Sequence, residues 1–192
     1  QKNGLNPMSA DITGVTDESK IDNESAKIDD IVNIVAYDNF SGTRGLIDQL
    51  PACATVVYDT LSTPKIVTVD FGTTPCQSDW DGKFREGVIQ ISWTGPMKAE
   101  GSVKTVTTQN YYVGDVADQL SKFDYSKTVT NMGLNENGNL HFAISVPNAT
   151  ITLFDGGTIT WTATRDREWT EGIATPDPSD DVFLITGGSS GT

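Results

Sequence analysis

The stretch NGNLHFAISVPNATITLFDGGTITWTATRDREWT, residues 137–170, decides the fold class. Apolar and threonine side chains alternate along it with the period of two that is typical of β-strands. The dipeptides Asn137-Gly138 and Asp155-Gly156 favour the positive φ angles of two-residue hairpin turns. No helix-length segment separates the strands, so the crossovers that a parallel sheet requires are missing. The stretch therefore predicts neighbouring antiparallel strands.

The same period extends over most of the chain after Pro51, where many of the 25 threonines alternate with branched or aromatic residues. This pattern predicts a mainly β fold, an antiparallel meander or sandwich-like sheet of about eight or nine strands. The predicted strands cover residues 54–59, 65–71, 87–94, 102–113, 127–134, 140–146, 149–154, 157–170 and 181–186.

One segment ahead of the strands has a helical period instead. Apolar residues recur there at spacings of three, four and seven, namely Ile21, Ile28, Ile31, Val32 and Val35. The spacing predicts one N-terminal helix over about residues 19–38, with its apolar stripe on one face of the sheet. Residues 1–18 are polar and acidic and predict a flexible tether, which leaves 19–192 as a single β-rich domain.

The last six residues, 187–192, are glycine, serine and threonine, and they predict a flexible tail after a good strand. A strand that stops at such a tail indicates either that the chain is a piece of a longer protein or that its terminus is disordered.

Charge excludes one large class of partner. The chain has 13 basic and 26 acidic residues, so its formal net charge is −13. Nucleic-acid binding needs clustered basic residues, so we expect no nucleic-acid partner. The one histidine, His141, is too few for a histidine-rich zinc site, and we expect no metal and no cofactor. His141 itself is predicted to face solvent or a neighbouring threonine.

The two cysteines predict a compartment. Cys53 and Cys76 stand 23 positions apart, each near a proline turn signal, and an isolated pair in an acidic β-rich chain is typical of a disulfide in an oxidising compartment. The alternative is two separate buried thiols in a cytosolic protein. A disulfide closing a loop of this size stabilises a domain by roughly 3 kcal/mol in the chain-entropy treatment.

Several segments together carry a resemblance to a known class. They are residues 67–72, 82–94, 109–113, 127–133 and 159–172. Together they resemble uncharacterised exported lipoproteins of Bacteroidetes-type bacteria, over roughly residues 20–192. The resemblance implies an outer-membrane or cell-surface location, with the periplasm as an alternative, and membrane attachment only through a lipid anchor outside this chain. Its motifs describe strands and turns, so it implies no activity.

Four residues of the last long predicted strand are the candidate ligand-binding residues. Trp161, Arg165, Arg167 and Trp169 share one strand face. Two arginines beside two tryptophans are suited to an anionic or sugar ligand, through guanidinium hydrogen bonds and stacking. The structural alternative, which we favour here, pairs the arginines with acidic residues of neighbouring strands while the tryptophan rings cover the edge of the core.

Carboxylate catalysis and calcium binding have weaker signals. The only acidic pairs beside aromatic residues are formed by Asp79, Asp81 and Glu86, and by Glu168 with Glu171. The fragment Asp79-x-Asp81-Gly82 and the cluster Asp177, Asp180 and Asp181 resemble parts of oxygen-ligand loops without the spacing of an EF-hand. Solvated surface charge explains these acids more simply, so we expect no catalytic residues and no enzyme activity.

Three functions remain open at the level of the sequence. The first is an exported, non-enzymatic envelope protein that acts as a surface scaffold or binding module, with a glycan or an envelope protein as partner. The alternative is a carbohydrate-binding module that stacks sugars on exposed Trp80, Trp93, Trp161 or Trp169. The third is a carboxylate-dependent glycoside hydrolase. Exposed coplanar tryptophans would favour the second, and a cleft with two facing carboxylates the third.

Overall fold

A long helix lies on one face of a ten-stranded sheet. The computed structural model describes residues 8–41, 50–175 and 180–192, with the side chains of residues 19–35, 50–175 and 180–192. The elements are α1 (Met8–Ser41), β1 (Thr55–Asp59), β2 (Lys65–Asp70), β3 (Cys76–Gln77), β4 (Phe84–Trp93), β5 (Val103–Gly114), β6 (Ser121–Asp124), β7 (Ser126–Leu134), β8 (Leu140–Thr152), β9 (Thr158–Glu171) and β10 (Val182–Gly191).

Helix α1 buries the apolar stripe that its sequence predicts. Ile21, Ile28, Val32 and Val35 are all 0% exposed, and they form one core with residues from the strands. The strand members include Val67, Val69, Ile89, Ile91, Val106, Phe123, Ile151 and Trp161. We call the side of the sheet that contacts α1 the inner face. The prediction that the helix covers one face of the sheet is therefore confirmed.

The helix begins earlier than predicted, at Met8 rather than near residue 19. Residues 8–18, which were predicted as part of a flexible tether, are helical in the structure. Once a helix is nucleated, each further residue gains a hydrogen bond, and no proline interrupts the chain between Pro7 and Pro51. Residues 1–7 of the predicted tether lie outside the described part of the chain.

The sheet is antiparallel throughout. Its strand order is β1-β2-β4-β5-β6-β8-β9-β10, with β3 paired to β4 and β7 paired to both β5 and β8. Strands β6 and β7 lie end to end between β5 and β8, because the ladder breaks at Tyr125. The mainly β, antiparallel fold with a helix near the N-terminus is confirmed, with ten strands in place of eight or nine.

Two predicted strands, 140–146 and 149–154, are a single strand. β8 runs from Leu140 to Thr152 and shifts its register against β9 between Val146 and Ala149. Pro147 has no N–H for the ladder, and a bulge lets pairing continue past such a residue. The prediction of a break was wrong because a strand that changes phase at a bulge has the same pattern as two strands.

The predicted flexible tail was also wrong. Its residues extend β10 to Gly191, and Thr192 exchanges two backbone hydrogen bonds with Thr160, at 3.0 and 2.8 Å. Glycine and serine have little strand propensity of their own, so the ladder to β9 holds this segment extended. The short strands β3 and β6 were not predicted, because two to four residues are too few to show a period.

The predicted disulfide is confirmed. Cys53 and Cys76 are bonded, with their Cα atoms 6.2 Å apart, and the bond links the chain just before β1 to β3. Disulfides persist outside reducing compartments, so the bond indicates a non-cytoplasmic location. No helix in the described residues has the length and apolarity needed to cross a membrane.

Candidate functional site

Strand β9 carries all four candidate ligand residues on the inner face of the sheet. Side chains alternate between the two faces along a strand, so residues whose numbers differ by two or four lie on the same face. This holds for Trp161, Arg165, Arg167 and Trp169. They lie at different depths: Trp161 is 1% exposed, whereas the other three are partly exposed. The shared face that the sequence predicts is therefore present, with one ring inside the core.

Arg165 is paired with the helix. Its Nη2 donates to Oδ1 of Asp22 at 2.8 Å, and its guanidinium carbon lies 5.9 Å from the centroid of the Trp161 ring. The sequence predicts an acidic partner on a neighbouring strand, and that prediction is wrong, because the bonded carboxylate belongs to Asp22 of α1, which packs on this face. The contact anchors α1 to β9.

Arg167 has no such partner. Its guanidinium carbon lies 4.7 Å from the Phe183 ring centroid and 5.1 Å from that of Phe142. Its Nε is buried and has no hydrogen-bond acceptor among the described residues. Burial lowers the pKa of Arg167, although Asp29 and Asp181 oppose the effect. Arginine keeps its charge in proteins, so a positive charge with an unused donor sits between two aromatic rings.

Two lysines from other strands join the same face. Lys127 of β7 donates from Nζ to Oδ2 of Asp29 on α1 at 2.5 Å. Lys104 of β5 lies opposite Val129 of β7, and no acceptor or carboxylate in the described chain bonds its Nζ. Burial lowers the pKa of Lys104 to about 8. The Asp29 carboxylate opposes this effect, and the positive charges of Arg167 and Lys127 add to it.

We call Lys104, Lys127, Arg165 and Arg167 the inner cation cluster. Two of its members bond a carboxylate on α1 and the other two bond none in the described residues, so the bonded carboxylates leave two positive charges in excess. This excess stands out in a chain of net charge −13. Guanidinium and ammonium donors held in a partly desolvated face are suited to a carboxylate, sulfate or phosphate group.

The tryptophans do not form an exposed row. Trp161 and Trp93 are 1% and 9% exposed, so neither ring offers a face to a sugar. Trp80 is 38% exposed, but the Lys27 ammonium lies 4.5 Å from its ring centroid. Trp169 packs against Phe183 at 5.4 Å and lies under the Lys98 ammonium at 4.8 Å. The structure therefore does not bring the four predicted rings together.

Unused donors are concentrated on the inner face of β9. Besides the Nε of Arg167, the indole N–H groups of Trp161 and Trp169 are buried with no acceptor in the described chain. Most buried donors in folded proteins are hydrogen-bonded, so three on one strand face are unusual. They are donors that a ligand rich in acceptor oxygens can satisfy.

A buried polar network, which the sequence did not predict, joins α1 to the other half of the sheet. Arg85 is 1% exposed and bonds Asp81 through both terminal nitrogens, at 2.9 and 2.6 Å. Its Nε donates to the Tyr111 hydroxyl at 3.1 Å, and that hydroxyl donates to Glu24 at 3.4 Å. Burial raises the pKa of Glu24 and outweighs Arg85, which lowers it. The available signal was the position of Glu24, three residues after Ile21 and four before Ile28, on the buried helix face.

The network accounts for one of the candidate catalytic acids. Asp81 lies within the predicted acidic group around Trp80, and both of its carboxylate oxygens bond Arg85. Its pKa is lowered: burial alone would raise it, and the hydrogen bond and charge of Arg85 prevail. Asp81 is thus an ion-pair partner in the structure.

The outer face holds His141 and another candidate acid, Glu168. His141 is partly exposed on this face, and its Nδ1 lies 2.8 Å from Oδ2 of Asp166 on β9, so its protein partner is a carboxylate and not a threonine. Glu168 accepts hydrogen bonds from the side chains of Asn139 at 2.8 Å and Asn137 at 3.3 Å, and bonds from this asparagine-rich turn lower its pKa. These contacts tie the β7–β8 turn to β9.

The described residues line at least two surface clefts. One of about 360 Å³ lies beside the β1–β2 hairpin, and one of about 400 Å³ lies between α1 and the ends of β5, β6 and β8. The second is lined by Glu24, Asp115 and Asp155, none of which belongs to a predicted acidic pair, and Asp115 is bonded to Lys83 at 3.0 Å. Within the described residues, no three acidic, histidine or cysteine side chains form a metal-binding group. Asp177 of the predicted acidic cluster lies outside the described residues.

Comparisons with known proteins leave the site to be interpreted from its own geometry. The chain matches no protein-family model, no curated protein and no solved structure.

Proposed function

We propose that the protein is an exported, non-enzymatic binding module whose inner cation cluster holds an anionic group of its ligand. One observation carries the proposal: Lys104 and Arg167 are held on the inner face without a bonded carboxylate in the described chain. An unpaired cation that is partly removed from water destabilises a fold. Such a cost is expected where a ligand supplies the missing negative charge, since sites for function are often kept at the expense of stability.

The disulfide and the lipoprotein resemblance support a place in the cell envelope. We propose a lipid-anchored protein at the outer membrane or cell surface, with the periplasm as the alternative and with the anchor outside this chain. Its partner would be a glycan or an envelope protein that carries carboxylate, sulfate or phosphate groups. The net charge of −13 favours a ligand that meets the cluster locally, since the protein as a whole repels polyanions.

A neutral-sugar module is the second candidate, with less support. It depends on Trp80 and Trp169, whose rings lie against Lys27 and Lys98. Stacking on a sugar would require those ammonium groups to move. A glycoside hydrolase has the weakest support, because one acid of each predicted group, Asp81 and Glu168, is engaged in structural hydrogen bonds.

Calorimetric titration with matched ligands tests the proposal. The probes are inorganic sulfate, inorganic phosphate, a uronic-acid tetrasaccharide and its neutral counterpart of equal length. We expect binding of at least one anionic probe, weakened at least tenfold in the double variant Lys104→Gln/Arg167→Gln and reduced by added salt. Lys122→Gln is the matched control, because Lys122 is a lysine of similar chemistry that pairs with Asp124 outside the cluster.

Two results of the titration would reject the proposed anion site. Binding of the neutral tetrasaccharide as strongly as the uronic-acid one would favour the second candidate. Anion binding that is unchanged in the double variant would place the site elsewhere. A thermal melt of each variant shows that the altered protein is still folded when its affinity is measured.

A further inference from the structure

Strand β10 forms one edge of the sheet. Among strands it pairs with β9 alone, and no strand among the described residues lies on its other side, although α1 contacts β10 and Gly191 has a further interaction of its own. At ten residues it is twice as long as β1, the strand at the opposite edge. An open edge presents a row of backbone donors and acceptors that match an extended partner chain.

The hydrogen-bond pattern shows which residues face outward. Thr192 and Thr160 exchange both backbone bonds, so they form a hydrogen-bonded pair. In an antiparallel ladder such pairs alternate with non-bonded ones, so every second residue of β10 points its backbone groups toward β9. The register then places Thr186 and Leu184 toward β9, and it turns the N–H and C=O of Ile185 toward the open edge.

Apart from a register shift between its first two residues, Val182 and Phe183, this edge lacks the features that protect edge strands in soluble proteins. No charged residue and no proline occurs from Val182 to Gly191. Val182, Leu184 and Ile185 are 45%, 53% and 57% exposed, so the first half of the strand presents apolar side chains to solvent. Natural edges are usually interrupted by lysine, proline, bulges or short strand length.

The opposite edge is protected in that way. β1 is five residues long and ends at Asp59. Pro51 and Pro64 flank it, and the disulfide at Cys53 fixes the chain that enters it. The two edges are therefore unlike, and β10 is the less protected of the two.

We propose that β10 pairs with β10 of a second copy of this chain, antiparallel and edge to edge. A chain of net charge −13 repels its own copies over most of its surface, and β10 is an uncharged strip across which two copies can align without opposed carboxylates. Antiparallel pairing of identical strands is two-fold symmetric, and with the axis at Leu184 it pairs residues 182–186, the apolar half of β10, with the same residues of the second copy. Pairing β10 with β1 of another copy would instead build an open chain of molecules.

Sedimentation velocity over about a hundredfold range of protein concentration tests the proposal. We expect a concentration-dependent shift from monomer to dimer, since one strand edge buries less area than a standard interface. Ile185→Lys puts a charge at the open edge and is expected to leave only monomer. Val57→Lys is the matched control, because Val57 is an aliphatic residue of β1 that is 61% exposed, and it is expected to leave the dimer unchanged.

Hydrogen exchange gives an independent measure of the pairing. The amide of Ile185 is expected to exchange more slowly at high protein concentration, while that of Leu184, which already points to β9, changes little. Leu184→Asp is a second dimer-breaking variant that keeps the β9 ladder. Near-ultraviolet circular dichroism confirms that each variant is folded.

Three outcomes would overturn the proposal. A wild-type chain that stays monomeric at every concentration has no β10 pairing. A dimer that survives both Ile185→Lys and Leu184→Asp uses another surface. A dimer that Val57→Lys dissociates is formed at the opposite edge.

Discussion

Lys104 shows how a single residue links stability to the proposed function. Its ammonium group is held on the inner face without a bonded carboxylate in the described chain, and burial lowers its pKa to about 8 from an ordinary 10.5. Between these values the unfolded chain binds more protons than the folded one, so the contribution of Lys104 to the free energy of unfolding rises with pH. Below about pH 8 the folded protein carries the full cost of burying the charge.

Replacing this lysine with an apolar residue of similar length is therefore expected to stabilise the protein. Lys104→Met should raise the free energy of unfolding at pH 7 by about 1–3 kcal/mol, because the buried charge is removed while the volume is kept. The gain should shrink as the pH rises from about 8 through 10.5, because above that range the wild-type lysine is neutral in both states. Urea unfolding at neutral and alkaline pH measures both effects.

Lys122→Met is the control for this experiment. Lys122 is an exposed lysine paired with Asp124, and its pKa is raised by that hydrogen bond, so its replacement should bring no gain at pH 7. A Lys104→Met variant that is less stable than wild type at pH 7 would show that the ammonium group is satisfied in the folded chain.

Helix α1 is held to the sheet by an apolar stripe and by polar contacts on either side of it. Ser25 bonds the Tyr125 hydroxyl at 2.7 Å, and Glu24 accepts from Tyr111. Asp22 and Asp29 bond Arg165 and Lys127 of the inner cation cluster. The stripe supplies the burial, and the polar contacts set which turn of the helix faces which strand.

Truncation of the stripe should destabilise the whole protein. Ile28 is 0% exposed at the centre of the helix–sheet contact, so Ile28→Ala is expected to lower the free energy of unfolding by about 2–5 kcal/mol. Asn33→Ala, on the exposed side of the same helix, should change it by less than about 0.5 kcal/mol. Equal effects in urea unfolding would mean that the helix is not docked as described.

The whole molecule is organised around one main core. Residues of α1, β2, β4, β5, β6, β8 and β9 belong to the same buried cluster, and a smaller cluster of Val129, Leu140, Phe142 and Ile144 continues along the inner face. A helix and a sheet that bury each other's apolar surface are expected to lose structure together.

Unfolding should therefore be a single transition. In urea, far-ultraviolet circular dichroism and tryptophan fluorescence, which reports largely on the buried Trp161 and Trp93, should give the same midpoint. Reduction of the disulfide should lower the free energy of unfolding by roughly 3 kcal/mol and shift both midpoints together to lower urea. Helix loss at lower urea than the fluorescence change would show that α1 is an independent unit.

The local sequence pattern alone was enough to predict the features that depend on residues close together in the chain. The alternation along residues 157–170 predicts that Arg165 and Arg167 share a strand face, and the spacing from Ile21 to Val35 predicts a helix with one buried side. The turn residues predict hairpins, and the isolated cysteine pair predicts the disulfide. Each of these conclusions follows from backbone geometry over a few residues or from redox chemistry.

Only the tertiary structure assembled the inner cation cluster and the open edge. The pairing of β5, β7, β8 and β9 places Lys104 and Lys127 on the same face of the sheet as Arg165 and Arg167. No spacing in the sequence encodes that placement. The segment 187–191 has the composition of a loose tail, and it is a strand because β9 supplies hydrogen bonds that its own residues do not encode. Burial and register are properties of the packed sheet, so they decide which charges lack a partner and which strand is left at the edge.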